Sequence, residues 1–179
     1  GTEVQPRRRR TGNGKRVTRM PNGHNEATVR RYLEEVWEQG QLGLIDQLIA
    51  EDYVRHHGGR IRRGRAALRQ LVERNRNTYR DLDVTIDELA EANGIVAARL
   101  TVTGTDQGGV MGLDPTNRRV SVTCMGFFRL AGDQIAESWH CLDEFHVLQQ
   151  LGGRITLAAS EPGGQAGPPA QARRRRGRS

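Results

Sequence analysis

The stretch RVSVTCMGFFRLAGDQIAESWHCL, residues 119–142, carries the clearest structural signal in the sequence. Two apolar-rich segments, 119–130 and 134–142, flank the turn residues Ala131-Gly132-Asp133. Long segments separated by a short Gly-containing turn are typical of a β-hairpin. We therefore predict two long antiparallel strands near the end of the folded part.

Upstream of this hairpin, the sequence predicts a second one. Apolar and polar residues alternate over 82–86, as in a strand with one buried face. Asn93-Gly94 is a strong turn signal, and a strand over 95–105 follows it. A Gly- and Pro-containing loop over 107–118 connects the two hairpins, so the strands are expected to form an antiparallel meander.

Helices precede the meander. Residues 24–39, with Asn25 at a capping position, place apolar side chains at three- and four-residue spacing, and 42–50 and 65–79 repeat this pattern. A short helix over 144–151 ends the folded part. Helices followed by strands indicate an α+β fold, in which helices pack on one face of a strongly curved antiparallel sheet and enclose a cone-shaped cavity.

The chain carries a formal net charge of +7, but its excess of basic residues lies in the two ends. Residues 1–24 hold seven Lys or Arg and one Glu, and residues 154–179 hold six Arg and one Glu. Residues 25–153 hold fifteen Lys or Arg against nineteen Asp or Glu, which indicates a mildly acidic globular domain. The ends are rich in Gly, Pro and Arg and poor in apolar residues, so we predict that both are disordered.

The role of the basic ends stays open between a solvated tail and an arginine-rich arm for nucleic acid or another anionic surface. The arginine runs lack interleaved aromatic residues that would stack on bases, which favours the solvated tail. Met20 lies just before the first amphipathic segment, and we expect the working protein to start near it.

The sequence argues against several classes of protein. It shows neither a run of roughly twenty apolar residues nor a secretory signal, and Cys124 and Cys141 are too few for a disulfide framework. We therefore expect a cytoplasmic protein with no membrane partner. Phosphate-binding glycine loops, dinucleotide motifs and the G-x-S-x-G elbow are missing from the sequence, so neither a nucleotide cofactor nor covalent acyl chemistry is supported.

Asp143 is the strongest candidate for chemistry. It stands between the last strand and the last helix, four residues after Trp139. Strand parity places Trp139, Cys141 and Asp143 on one face, with Ser138 and His140 on the other. An apolar cavity disfavours the charged form of a carboxylate, which suits a general acid or base near neutral pH. Asp is also a preferred helix N-cap, and the cap alone is the alternative interpretation.

Histidines form a second set of candidates. His56 and His57 follow the second helix, and His140 and His146 flank Asp143. His56 and His57 are each either a hydrogen-bonded structural residue or a catalytic one. His140, Asp143 and His146 raise the question of a metal site, which His56 or His57 could join. Their spacing matches no usual zinc pattern, and strand parity separates His140 from Asp143, so no metal site is predicted.

Five segments, taken together, point to a known family. They are YVRHH (53–57), RGRAAL (63–68), VTGTDQGGVMGLDPTNRRVSV (102–122), FFRLAGDQIAESW (127–139) and the closing D-E-F-x-V-L-Q-Q-L-G from residue 143. Their combination resembles the SnoaL-like polyketide cyclase family, within the superfamily named after nuclear transport factor 2. The resemblance spans about residues 25–153.

This resemblance implies a conical α+β barrel that oligomerises through the outer face of its sheet and uses no metal and no organic cofactor. It also implies a cyclase activity, since the family's cyclases close a ring by intramolecular aldol condensation of a polyketide ester. Asp143 matches the family's acid/base Asp, and His56 matches a His that is usual after the second helix. The chain departs from the family at Gln107, where His is common.

We therefore predict a cofactor-independent cyclase for a polyketide-like carbonyl compound of secondary metabolism. The expected catalytic residues are Asp143, His56 and His140. The residues expected to line the substrate site are Trp37, Met111, Phe127 and Trp139. The expected partners are the small-molecule substrate and further copies of the chain. Nucleic acid would bind only through the arginine tails.

Three alternatives remain on the same fold, because the fold itself does not choose among them. One is a polyketide hydroxylase. Another is an epoxide hydrolase, which would need a second carboxylate and an arginine, with Arg99 and Arg129 as candidates, in the cavity. The last is a non-catalytic small-molecule-binding domain.

Overall fold

The computed structural model describes residues 23–110 and 112–154, which form helices packed on a six-stranded sheet. The strands are β1 (Ile49–His57), β2 (Arg60–Arg63), β3 (Tyr79–Ala92), β4 (Ile95–Asp106), β5 (Arg119–Ala131) and β6 (Gln134–Leu142). Their order in the sheet is β2-β1-β6-β5-β4-β3, and its two edges do not pair, so the sheet is not closed.

The predicted α+β architecture is confirmed, with one correction to the sheet. The sheet is mixed, because β1 pairs in parallel with β6 while the other neighbours are antiparallel. The predicted helix over 42–50 is too long: a 3₁₀ turn at Leu42–Leu44 leads into α2 (Ile45–Leu48), and β1 begins at Ile49. Ile49 pairs with Ile135 of β6, and burial of both side chains favours the strand over another helical turn.

The first helix follows its predicted apolar stripe. Helix α1 (His24–Arg31) continues as a π-helical segment, Tyr32–Glu38, and Val29, Leu33 and Val36 are buried.

The remaining helices also lie close to their predicted ranges. Helix α3 spans Gly64–Thr78 and α4 spans Glu144–Gln150. The predicted cap at Asn25 is wrong, because the helix begins at His24 and its N-cap is Gly23. The Asn25 amide instead donates to Glu91 Oε1 at 2.6 Å, which ties α1 to the end of β3.

Both predicted hairpins are present. Asn93 (φ 54°) and Gly94 (φ 76°) turn β3 into β4, and positive φ at both positions is what a two-residue type I′ turn requires. Strand β5 alternates almost fully between exposed and buried residues. Its register with β6 places Phe127 opposite Trp139 and Gly126 opposite His140. The faces of β5 are thereby extended onto β6.

The two ends of the chain are not part of this description. The predictions of disordered ends and of a start near Met20 fall on residues 1–22 and 155–179, which lie outside the described residues. Within the described ranges, no helix is long and apolar enough to cross a membrane. The cytoplasmic location stays a prediction.

Two phenylalanines test which side chains are buried in the core and which are exposed. Phe128 is fully buried. Its ring is edge-on to the rings of Tyr32 and His140, with centroids 6.0 Å and 5.3 Å away. We expect Phe128→Ala to lower the free energy of unfolding by about 3–5 kcal/mol, because the removed ring leaves a cavity. Phe145→Ala removes an exposed ring from α4, and we expect a change of about 0.5 kcal/mol or less. Urea unfolding measures both, and equal losses would contradict the assignment.

Candidate functional site

A cavity of about 560 Å³ lies between the helices and the inner face of the sheet. This volume is in the range that holds small organic ligands. Its apolar walls include Leu71, Val84, Leu100, Val102, Val122 and Val147. Its titratable lining residues are Arg55, His57, Arg60, Arg62, Arg74, Tyr79, Cys124, His140 and Glu144. Most of these belong to the neighbouring strands β2, β1 and β6 or flank them, so the polar groups converge at one end of an apolar cavity.

His140 is anchored there by a chain of buried hydroxyls. Its Nε2 lies 2.9 Å from Ser138 Oγ, which lies 2.6 Å from the hydroxyl of Tyr53. Ser138 and Tyr53 are both buried. Buried polar groups of this kind remain stable because each has a hydrogen-bond partner. The chain of bonds fixes the orientation of the imidazole ring.

Gly126 leaves the space that this ring occupies. A Cβ atom at Gly126 would lie 3.0 Å from the Phe128 ring and 3.3 Å from His140 Nδ1. Both contacts are tighter than ordinary van der Waals contact, so a side chain at position 126 would displace His140 or Phe128. The glycine is therefore required by close packing on the inner face of the sheet.

The imidazole of His140 is neutral at pH 7. Burial lowers the pKa of His140 well below its usual range, and the neighbouring Arg55 and His57 act in the same direction. No described residue forms a hydrogen bond with Nδ1. The neutral ring therefore offers one free nitrogen to a ligand in the cavity.

Arg55 places a cation in the same cavity. Its guanidinium carbon lies 5.5 Å from the centroid of the Trp37 ring, a cation–π arrangement. Its Nη1 is buried and has no hydrogen-bond partner among the residues that the structure describes. A buried N–H without an acceptor is costly, and a ligand oxygen would supply the missing acceptor.

His57 and Glu144 form a pair beside these residues. His57 Nε2 lies 3.0 Å from Glu144 Oε1, and both residues line the cavity. The register of β1 and β6 places His57 next to His140. The cavity thus holds two adjacent imidazoles, of which one contacts a carboxylate and the other contacts a hydroxyl.

Asp143 acts as the cap of α4. Its Oδ1 accepts a hydrogen bond from the His146 backbone N–H at 2.9 Å, and the residue is exposed. Asp143 is not among the described residues that line the cavity. The geometry therefore matches the cap interpretation of this residue and places its carboxylate toward solvent.

Three expected site residues lie on the outer face of the sheet, away from the cavity. They are His56, which was expected to be catalytic, and Trp139 and Phe127, which were expected to line the substrate site. The His56 and Trp139 rings stack at 5.3 Å, and His56 Nε2 lies 2.9 Å from Glu137 Oε1. The Phe127 side chain is 54% exposed. The physical reason is strand parity, because the helices cover the face that carries Ser138 and His140.

Two further expected site residues have different outcomes. Trp37 lines the cavity, and its contact with a substrate stays a prediction. Met111 lies outside the described residues. Sequence reasoning missed Arg55 as a cavity residue and left His57 out of the expected catalytic set, although both share a strand face with Tyr53 in YVRHH and His56 does not.

The signal that identifies the inner face was present in β5. Its residues at positions 120, 122, 124, 126, 128 and 130 are apolar or Gly, whereas 119, 121, 123 and 129 are polar. Trp139 pairs with Phe127, which belongs to the partly polar set. The pairing therefore puts Trp139 outside and His140 inside.

The residues needed for epoxide hydrolysis or for a metal site do not come together among the described residues. Glu144 is the one carboxylate of the described cavity lining, and it contacts His57. Arg99 and Arg129 are exposed and contact Asp87 and Glu137, each at 3.2 Å. An Asp-Arg-Asp arrangement is therefore not formed by the described lining. Within the same ranges, no three His, Cys, Asp or Glu side chains group as metal ligands.

The chain matches a known family over most of its described part. The model of the SnoaL-like polyketide cyclase family matches residues 27–151. Among curated proteins, none matches the chain.

Solved structures share its fold. IdmH from Streptomyces antibioticus, a proposed polyketide cyclase, has 25% identity and a TM-score of 0.64, over 72% of this chain and 98% of its own. AclR from Streptomyces galilaeus, a proposed hydroxylase, has 26% identity and a TM-score of 0.63, over 72% and 95%. TsrD from Streptomyces laurentii has 23% identity and a TM-score of 0.69, over 76% and 100%.

The neutral state of His140 gives a testable pH dependence. As the pH falls from about 6.5 to about 5, the unfolded chain binds a proton at this His while the folded protein resists it. We therefore expect stability to be full above about pH 6.5 and to fall below it, by at most about 1.4 kcal/mol for each pH unit from this group. Urea unfolding at several pH values measures this slope.

Two variants assign the slope to its residue. His140→Gln is expected to flatten it, because Gln does not titrate. His146→Gln, at an exposed position of α4, is expected to keep the wild-type slope. An unchanged slope in His140→Gln would contradict the neutral imidazole.

Proposed function

Because the chain belongs to the SnoaL-like polyketide cyclase family, we propose that it is an enzyme that closes a ring in a polyketide-like carbonyl compound. The reaction is an aldol-type condensation by acid/base catalysis, without a cofactor. The observation that carries this proposal is the neutral imidazole of His140 in the cavity beside the cation Arg55. A base and a positive charge in one apolar site are what enolate formation requires.

His140 is the proposed base. In the productive tautomer, Nε2–H donates to Ser138 Oγ, and the Ser138 hydroxyl donates to Tyr53. This leaves the Nδ1 lone pair free to take a proton from the carbon between two carbonyl groups of the substrate. The C–H bond breaks, its electron pair forms the enolate, and His140 becomes the imidazolium.

Arg55 offsets the weak basicity of His140. A lowered pKa makes an imidazole a poorer base in isolation. The enolate oxygen, however, gains an ion pair with the Arg55 guanidinium, and this stabilises the charge that develops during proton transfer. The new imidazolium is also stabilised, because the enolate brings a negative charge into a cavity that already holds Arg55.

The second step forms the ring. The enolate carbon attacks another carbonyl of the same molecule, so a C–C bond forms and the carbonyl oxygen becomes an alkoxide. The imidazolium of His140 returns its proton to this oxygen, and the base is regenerated. The apolar walls contribute by folding the substrate so that the two reacting carbons are close.

The residues first expected to be catalytic take different roles under this proposal. Asp143 holds the start of α4, whose Glu144 contacts His57. His56 packs on Trp139 outside the cavity. We therefore assign proton transfer to His140 alone among the three.

The proposed assembly of several copies uses the outer face of the sheet. Met125 and Phe127 are each 54% exposed there, and Trp139 lies between the His56 ring and the Arg129 guanidinium.

We expect light scattering to give a mass above the 20.0 kDa of one chain. Phe127→Glu is expected to lower the measured mass to that of one chain, because assembly would bury the charge of the new carboxylate. Phe145→Glu, on α4, is the control that keeps the mass. A wild-type monomer would contradict the assembly.

The proposed base is tested with a neutral ketone. In D₂O, the protein is expected to accelerate exchange of the C1 hydrogens of 2-tetralone, which proton NMR follows. We expect His140→Gln to lower the protein-catalysed exchange rate by at least about 10²-fold, the low end for general acid–base catalysis.

Asp143→Asn is the matched control. Asn caps helices about as well as Asp, so α4 is kept while the carboxylate is removed. This variant is expected to keep the wild-type exchange rate. A loss in Asp143→Asn with full activity in His140→Gln would overturn the assignment and return the chemistry to Asp143.

A further inference from the structure

The end of the cavity formed by β1 and β2 holds basic residues opposite each other. The antiparallel register places Arg55 opposite Arg62 and His57 opposite Arg60. Arg55 and Arg62 both line the cavity, so their side chains lie on the same face of the sheet. Like charges directly opposite each other destabilise a strand pair. The protein therefore maintains a repulsive pair at its ligand cavity.

Protein carboxylates do not relieve this repulsion within the described part of the chain. Elsewhere in that part, Arg30, Arg69 and Arg129 each have a carboxylate oxygen within 3.2 Å. The arginines that line the cavity form no such ion pair with described residues; they are Arg55, Arg60, Arg62 and Arg74. The one described lining carboxylate, Glu144, contacts His57. The cavity is therefore cationic although residues 25–153 are acidic overall.

The four arginines differ in depth. Arg60 and Arg74 are exposed and Arg62 is half-buried, so these three lie where the cavity opens to solvent. Arg55 packs on Trp37 and has a buried Nη1 without a described partner. The positive charge thus runs from the opening toward the reacting end.

We propose that the cavity binds its substrate as an organic anion, with a carboxylate held by Arg62 and flanked by Arg60 and Arg74 at the opening. The position of a reacting carbonyl at Arg55 and His140 rests on the proposed function, whereas the anion site at the opening does not. The substrate class is then a keto acid rather than the neutral ester that the family resemblance implies.

This assignment follows from charge and geometry. A guanidinium binds a carboxylate through two parallel N–H···O bonds, which favours Arg for this purpose. A carboxylate beside Arg62 also screens its repulsion with Arg55, so binding removes a cost that the ligand-free protein carries. A methyl ester of the same acid has no charge and provides neither effect.

The test compares one acid with its ester. We use 3-hydroxy-2-naphthoate and its methyl ester, two rings that suit the cavity volume, and measure both affinities by isothermal titration calorimetry. We expect the wild-type protein to bind the acid at least about tenfold more tightly than the ester, as one charged hydrogen-bonded contact provides. Raising NaCl from about 50 to about 500 mM is expected to weaken binding of the acid and leave the ester unchanged.

Arg62→Gln and Arg63→Gln form the matched pair of variants. Arg63 is adjacent in β2 but is exposed and does not line the cavity. We expect Arg62→Gln to abolish the preference for the acid and Arg63→Gln to keep it. Equal binding of acid and ester, equal effects of the two variants, or no binding of either ligand would each overturn the anion site.

The outcome is separable from that of the proposed function. Exchange of 2-tetralone needs a base but no anionic group, so it reports on His140 and not on the acid preference, and we expect the control Arg63→Gln to keep the exchange rate that His140→Gln loses. Failure of the acid preference with intact exchange removes only the anion site. A wild-type exchange rate in His140→Gln removes the proposed base and leaves the binding result standing.

Discussion

The placement of the site depends on the pairing of β6 on both of its edges. It is antiparallel to β5 on one side and parallel to β1 on the other. A strand held on both edges cannot shift by one residue without turning every side chain to the opposite face. This double pairing fixes Ser138 and His140 toward the helices and Trp139 toward the outside. The cavity, the buried hydroxyl chain and the cap at the end of β6 all follow from it.

The fixed register lets the protein keep polar groups inside an apolar core. Removing a hydroxyl or imidazole from water is costly unless it finds a partner. Tyr53, Ser138 and His140 satisfy one another along a single chain of hydrogen bonds. The same burial lowers the pKa of His140 and keeps the ring neutral. The packing that shields His140 from water therefore also keeps its imidazole neutral, which is the state that the proposed base requires.

Electrostatic asymmetry is the second organising feature. On the described surface several arginines pair with carboxylates, whereas the arginines that line the cavity form no such pair with described residues. The surface pairs are worth little individually, since water screens them. Charges inside an apolar cavity are screened less and act on each other and on His140 over longer distances. A domain with a small net negative charge can thus present a positive site, because location rather than the total determines the local potential.

The sequence by itself determined the order of elements, both hairpins and the buried stripe of the first helix, because these depend on local periodicity and turn chemistry. It also contained the inner face of β5, since apolar and polar residues there separate by parity. It did not determine the inner face of β6, where Trp139 and His140 are both plausible cavity residues. Nor did it determine β1, where Ile49 leaves the predicted helix to pair with Ile135. Only the tertiary structure decided these points. Strand parity shows that adjacent residues of a strand face opposite sides of the sheet. Which of these sides is inside depends on the pairing of strands that are distant in the sequence and on the helices that cover one face.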